Sequence, residues 1–236
     1  MVEKRLLGGL RTVNKSIVPN FFTSSNLAFG VLGITFSTQG LFSYAAICVL
    51  LSLVADAFDG RTARALGVAG PFGRELDSLA DVVSFGVSPA YMMFMYAFQG
   101  IGWLGYVPLL VFSVLGAFRL ARFNIMTTEI KGFFQGLAIP TAGCLCATYV
   151  LSGIKLPTIA LLITMLVVAY LMVSEVPYPD FKGHPALVIQ PLAKWGVLIL
   201  GVVLLAWDWH VWPVLPFALY TLFGLINLAI NTSKGK

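Results

Sequence analysis

Charge is what this sequence has least of. Only 11% of its residues are Asp, Glu, Lys or Arg, less than half of the roughly 25% found in a soluble globular chain, which excludes an ordinary water-soluble domain. Histidine is nearly absent, at two residues in 236. The three cysteines, Cys48, Cys144 and Cys146, all lie inside apolar segments. Two of them are separated by a single residue, which suits neither a zinc site nor a redox pair, so the thiols read as small buried hydrophobes. Long repeats, low-complexity tracts and charged linkers are missing as well, and a single domain is the economical reading. A net charge of +5 does not point to nucleic acid. The basic residues are scattered at the ends of apolar stretches instead of forming one stripe, so they report membrane topology and no nucleic-acid partner is expected.

What the chain does have is apolar length. Hydrophobic residues make up 58% of it, in recurrent runs close to the roughly 20 residues that a membrane-crossing helix needs. The pattern predicts an all-α, polytopic integral membrane bundle of about eight helices. The spans are placed near 20–38, 41–60, 80–99, 103–122, 134–152, 157–174, 190–207 and 211–230. Before them, Leu6, Leu7, Leu10, Val13 and Ile17 recur at near-helical spacing among Lys4, Arg5, Arg11 and Lys15. This predicts an interfacial amphipathic helix over 1–17, followed by one transmembrane domain over 18–236. The polar interruptions make a signal peptide the poorer reading.

Starting with the N-terminus inside, eight spans put Lys4, Arg5, Arg11, Lys15, Arg61, Arg64, Arg74, Arg119, Arg122, Lys131, Lys182, Lys194, Lys234 and Lys236 on the cytoplasmic side and only Lys155 outside. Trp103, Trp207, Trp209 and Trp212 fall where an aromatic belt would lie. The expectation is a multi-pass protein of the cell membrane with both termini and the functional site facing the cytoplasm.

Carboxylates inside or at the ends of membrane spans are costly, at about 2.5–3.5 kcal/mol each at mid-membrane depth on insertion scales. Four occur in one short stretch, Asp56, Asp59, Asp77 and Asp81. On helices, the first two form an i, i+3 pair and the last two an i, i+4 pair, so that each pair shares a face. Packed together they would repel strongly unless cations or protons neutralised them. An all-oxygen donor set without His or Cys suits Mg²⁺, Mn²⁺ or Ca²⁺. Two such ions about 3.5–4 Å apart form the usual clamp for displacement at phosphorus. Gly60 and Gly73 would let a phosphate approach the backbone, Ala63 is small for the same reason, and Arg64 can pair with phosphate oxygens. A proton relay in a transporter is the rival reading, but it would not need the Gly and Arg between the pairs.

The run from Asp56 to Asp81 resembles the signature of the CDP-alcohol phosphotransferase family, D-x2-D-G-x2-A-R-x8-G-x3-D-x3-D, and matches every fixed position. The resemblance implies that Asp56, Asp59 and Asp77 are metal ligands. Asp81 would ligate one of two Mg²⁺ or Mn²⁺ ions and also act as the general base. It further implies that Asp56, Gly60, Ala63, Arg64 and Gly73 contact the CDP moiety, and that no ATP is needed because the CDP-lipid pyrophosphate already carries the driving force. The run Pro19 to Thr23 is similar to the start of the family's first helix and adds Asn20 and Thr23 to the CDP-lipid contacts. The segments Glu75 to Ala90, Phe118 to Asn124 and Lys131 to Gly136 resemble the branch that uses L-serine as acceptor. Ala138 departs from the branch, which has Pro in a Gly-Leu-Pro-x-Pro run at that point. The resemblance covers roughly residues 17–140.

The expected partners are therefore CDP-diacylglycerol or a CDP-ether lipid, L-serine, the lipid bilayer and, by analogy with the family, a second copy in a homodimer. Arg122 is the leading candidate to bind the serine carboxylate. Arg119 lies three residues before it on the same helical face, Lys131 could return over the site, and Phe123 and Asn124 could shape the pocket. Glycerol 3-phosphate or inositol phosphate are alternative acceptors. A prenyltransferase and a cation transporter are the rivals from other classes. The charge distribution makes one direct prediction. A cysteine introduced at Gly67 should react with an impermeant maleimide only after the cells are opened, and labelling of intact cells from outside would reverse the topology.

Overall fold

The computed structural model describes residues 2–126, 133–179 and 209–233 and isolated positions between 199 and 206, with side chains described from Lys15 onward. Helix α1 spans Val2–Thr38 and α2 spans Phe42–Ala65. Gly40, at φ 73°, makes the turn between them, and the two helices pack along each other as a hairpin. After Gly67 the chain enters α3, Pro71–Asp81, with Gly70 as N-cap and Pro71 at the first helical position, where its missing N–H is no loss.

The same run continues without a break through a π-helical turn at Val82–Val87, α4 at Ser88–Met93 and a second π turn at Phe94–Phe98. A 3₁₀ stretch, Gln99–Gly105, reverses the chain at Gly102, whose φ of 61° and ψ of −138° exclude a side chain. Helix α5, Tyr106–Met126, then returns alongside, bringing the Phe94 and Tyr106 rings to 4.8 Å. Strand β1, Phe133–Gln135, pairs antiparallel with β2, Pro177–Pro179, and between them lie α6, Ile139–Ser152, and α7, Thr158–Val173. The last described helix, α8, spans Leu215–Ser233.

Among the described residues, three helical runs are long and apolar enough to cross a membrane, Lys15–Thr38, Phe42–Ala65 and Pro71–Ile125, the last containing the reversal at Gly102. Shorter apolar helices occupy Ile139–Ser152, Thr158–Val173 and Leu215–Asn227. This supports an all-helical membrane protein at the level of class. The span expected at 190–207 falls largely outside the described residues.

Helix boundaries differ from the expected span boundaries in three places. Helix α1 runs unbroken through Pro19, so no helix end separates residues 1–17 from the first span. The third span begins at Pro71 instead of near 80, because the polar residues 71–79 lower the hydropathy without ending the helix. The span expected from 134 begins at Ile139, because Phe133–Gln135 are extended and paired with β2.

Packing relies on small residues that let backbones approach closely, as expected where lipid offers apolar side chains no reason to prefer each other. Gly33 faces Ser88, Gly116 faces Ile139, and Gly143 of α6 faces the first π turn. Around these contacts Phe85, Phe98, Phe112, Met92, Leu137 and Ile139 are fully buried. A Cβ on Gly143 would lie 2.7 Å from the Phe85 carbonyl oxygen and 2.9 Å from its Cα. Both are main-chain atoms that cannot turn aside. Gly143→Val is therefore expected to lower unfolding stability by about 1–3 kcal/mol, read as a lower melting temperature in detergent; unchanged melting would show that α6 moves freely relative to the turn.

Candidate active site

The four aspartates meet at one end of the bundle, where the middle of α1, the C-terminal end of α2 and α3 converge. Oxygens of Asp56, Asp59 and Asp77 all lie within 4.8 Å of one another. Asp59 is buried, and Asp56 and Asp77 are half-buried. Asp81, only 6% exposed, lies outside that triad and is held by Asn26, whose Nδ2 donates to its Oδ1 at 2.9 Å. The Thr23 hydroxyl lies 2.8 Å from Asp59 Oδ2 and 3.2 Å from the Pro19 carbonyl. Its single hydrogen is best given to the closer, charged acceptor.

Neither bond neutralises charge. Unit charges about 4 Å apart repel by about 4 kcal/mol at an effective dielectric of 20, and the triad contains three such pairs. The sum approaches the whole stability of a folded domain, about 5–15 kcal/mol. A fold with all three ionised therefore requires a cation. Asp77 Oδ1 is buried without a hydrogen-bond partner, so it has a lone pair to give. The all-oxygen donor set fits a hard divalent ion of the Mg²⁺ or Mn²⁺ kind.

Beside the triad is a cavity of about 490 Å³. It is bordered by Asn20 and Thr23 of α1, by Gly60, Ala63 and Arg64 of α2, and by Gly73 of α3. These are the residues the sequence marks as CDP-lipid contacts, apart from Asp56, which belongs to the triad. A Cβ on Gly73 would meet no atom within 4 Å, so that glycine faces open space. A Cβ on Gly60 would lie 3.3 Å from an Arg64 guanidinium nitrogen, so the missing side chain leaves Arg64 room to fold along its own helix. Arg74 borders the same cavity opposite Arg64 and was not singled out from the sequence. The one available clue was its place between Gly73 and the acidic pair.

The two arginines of α5 have different surroundings. Arg119 is 6% exposed, sits with Cζ 5.1 Å from the centre of the Phe123 ring, and is within electrostatic reach of Asp81. Its Nε is buried without a hydrogen-bond partner. Arg122 is committed elsewhere. Nη1 donates to the Val173 carbonyl at 2.7 Å, and Nη2 faces the carbonyls of Ser174 at 3.0 Å, Gln135 at 3.3 Å and Met172 at 3.4 Å. The fork expected to receive a carboxylate caps the C-terminal end of α7 and ties it to β1. Gly136, at φ 74°, leaves room for this clamp, since a Cβ there would meet the Met172 carbonyl. Asn124 donates to the Ser78 hydroxyl at 2.9 Å, linking α5 to α3. Lys131 lies outside the described residues.

Asn26 was also missed from the sequence, where its only signal was a polar side chain within an apolar span.

Residues 16–207 match the CDP-alcohol phosphatidyltransferase family model. Among curated proteins, the chain is 35% identical to a CDP-diacylglycerol–serine O-phosphatidyltransferase of Helicobacter pylori over 80% of its own length and 79% of the relative's. It is 35% identical to the protein of that name from Bacillus subtilis, over 72% of its own length and 93% of the relative's. It is 36% identical to an archaetidylserine synthase of Methanothermobacter thermautotrophicus, over 72% of each chain.

If the triad is the cation site, Asp77→Asn removes a ligand whose oxygen has no other partner. Mn²⁺ affinity in calorimetric titration should fall by about tenfold or more. Wild-type affinity in that variant would place the ion elsewhere.

Proposed function

Because the chain belongs to the CDP-alcohol phosphatidyltransferase family, we propose that its aspartate triad and neighbouring cavity bind a CDP-activated lipid, and that its phosphatidyl group passes to L-serine, giving phosphatidylserine and CMP. The observation that carries this reading is the three-carboxylate cluster, which when fully ionised is tenable only with a cation, at the edge of a cavity bordered by Arg64 and Arg74. Asp56, Asp59 and Asp77 would hold divalent metal, two ions in the fullest form of the reading. When bound, such ions supply Lewis-acid charge to the pyrophosphate.

The rest falls to the chain's own groups. Asn20, Thr23 and the backbone at Gly60 and Gly73 accommodate the nucleotide, with Ala63 keeping the wall low. Arg64 and Arg74 meet phosphate oxygens. Asp81 accepts the hydroxyl proton of serine. The serine oxygen forms a bond to the phosphorus that carries the lipid, the bond from that phosphorus to the bridging oxygen breaks, and CMP leaves with that oxygen. No covalent enzyme intermediate is required.

Arg119 is the better partner for the serine carboxylate. It is buried, carries an unpartnered N–H and is near Asp81, whereas Arg122 already serves four carbonyls. Phe123 steadies Arg119 from its ring face, and Lys131 is a further candidate for the acceptor side. The lipid backbone is diacylglycerol or an archaeal-type ether, the site faces the cytoplasm as the basic residues imply, and the enzyme works as a homodimer.

The test is CMP release by purified protein from CDP-diacylglycerol with a panel of alcohols. Serine should support turnover, chelation of divalent ions should abolish it, and glycerol 3-phosphate and inositol phosphate should not replace serine. Turnover with one of those and none with serine would overturn the acceptor. Arg119→Lys keeps the charge but loses the planar fork, and should raise the KM for serine by about tenfold or more while leaving that for CDP-lipid nearly unchanged. Equal loss for both substrates would assign Arg119 to phosphate.

A further inference from the structure

The rings around Arg119 form a closed circuit of contacts. Phe134 of β1 and Tyr178 of β2 are directly opposite each other in the two-stranded sheet, so both side chains lie on one face of it. The Phe134 ring reaches Phe123, with centroids 6.1 Å apart. Phe123 in turn carries the Arg119 guanidinium at 5.1 Å from its centre. From the other strand, Tyr178 packs against Tyr220 of α8 at 5.3 Å with the ring planes 31° apart, and Tyr220 is within electrostatic reach of Arg119. Three separate parts of the chain, α5, the sheet and α8, thus converge on one cation.

Tyr178 is the fixed point of the circuit. It is fully buried, and its hydroxyl donates to the Thr221 main-chain carbonyl at 3.2 Å. The approach of α8 depends on Gly224, where a Cβ would lie 2.6 Å from Tyr178 Cζ. Phe123, Phe134 and Tyr220 are only half-buried, so part of each ring is left uncovered. A set of rings that merely filled space would not need a cation among them. Arg119 is 6% exposed and its Nε has no hydrogen-bond partner, so the circuit encloses a charge that an anion must complete.

With a serine carboxylate on Arg119, the ammonium on the same carbon leaves water as well and needs a partner of its own. It cannot turn toward the guanidinium, which is of like charge, and the family's ligand set commits Asp81 to a metal ion. Aromatic faces are the remaining option. Their quadrupole is negative on the face, which attracts an ammonium within about 6 Å of the ring centre and repels an anion. We propose that the uncovered faces of Phe123, Phe134 and Tyr220 are the subsite for the acceptor's ammonium, selecting zwitterionic amino alcohols over anionic polyol phosphates. The inference rests on Arg119 as the partner of the serine carboxylate. Tyr220 lies beyond residues 16–207, the part that matches the family model, so this wall of the site comes from the chain's last described helix.

The test follows serine-dependent CMP release from CDP-diacylglycerol by the full-length protein, inhibited by L-alanine or by propanoate. Neither inhibitor has a hydroxyl to react, and they differ only in the ammonium. In the wild type, alanine should bind at least about threefold more tightly than propanoate, and equal inhibition constants would overturn the subsite without any variant. Tyr220→Leu should raise the inhibition constant of alanine and the KM for serine by about 3–30-fold while leaving propanoate within about twofold. An equal rise for alanine and propanoate would make Tyr220 a support of Arg119 and overturn the proposal, and so would no change in either. Tyr220→Phe keeps the ring face and should recover most of the lost alanine affinity; no recovery would move the role to the phenol hydroxyl and overturn the assignment to the face. Phe134→Leu, on the other side of the circuit, should show the same selective loss, and it decides the matter with the wild-type pair if Tyr220→Leu does not fold. Turnover by the wild type with another alcohol and none with serine would sink the acceptor reading itself. Turnover with serine, with alanine and propanoate bound equally, sinks the ammonium subsite alone.

Discussion

Like charges gathered in an apolar bundle must be held together by something other than their own attraction. In this chain the constraint falls on α1, α2 and α3, which must bring Asp56, Asp59 and Asp77 within 4.8 Å of one another before any cation can repay the repulsion. The hairpin of α1 and α2 supplies the stiffness, and the hydroxyl and amide bonds from Thr23, Asn26, Ser52 and Ser84 supply the register. Buried polar groups are normally a liability in a membrane protein. Here they lie where α1 meets its two neighbours, so the expensive groups and the functional groups coincide.

The division of labour between the arginines of α5 follows from what each one finds in front of it. Arg122 meets the carbonyls at the end of α7, which have no further helical turn to accept from, and a planar guanidinium can serve several of them at once. Arg119, one turn earlier, meets Asp81 and the Phe123 ring and keeps an N–H free of partners. Three residues of separation along one helix are enough to set one cation at the end of α7 and the other within electrostatic reach of Asp81.

Much of this was legible in the sequence, for physical reasons that can be named. The aspartate spacing survives translation into helices because i, i+3 and i, i+4 positions share a face whatever surrounds them. Apolar length declared the class of fold. The role of Arg122 was hidden because three of its four carbonyl partners lie about fifty residues away at the end of α7, and pairing across that distance leaves no mark in the sequence. Asn26 was hidden because its importance comes from the close approach of α1 to the π turn, which depends on Gly30 and becomes visible only in three dimensions. The helix that carries Asp77 and Asp81 starts ahead of the apolar span expected from 80 because apolarity and helicity part company at residues 71–79. Capping by Gly70 and Pro71 begins the helix well before the chain turns apolar.

The π turn at Val82–Val87 follows Asp81 directly. A π turn takes up about one residue more than an α turn, which rotates everything beyond it by about 100° relative to an uninterrupted helix. The angular phase of the carboxylates is thereby uncoupled from that of Ala90, Met92 and Met93, which lie beyond the turn in the buried core. A single continuous rod thus presents two faces that are set independently. Substitutions that reshape the lipid-embedded half need not turn the carboxylates, and a change in the chemical half need not disturb the packing beneath it. Such a phase shifter would let one catalytic rod be fitted to bundles whose membrane-embedded surroundings differ.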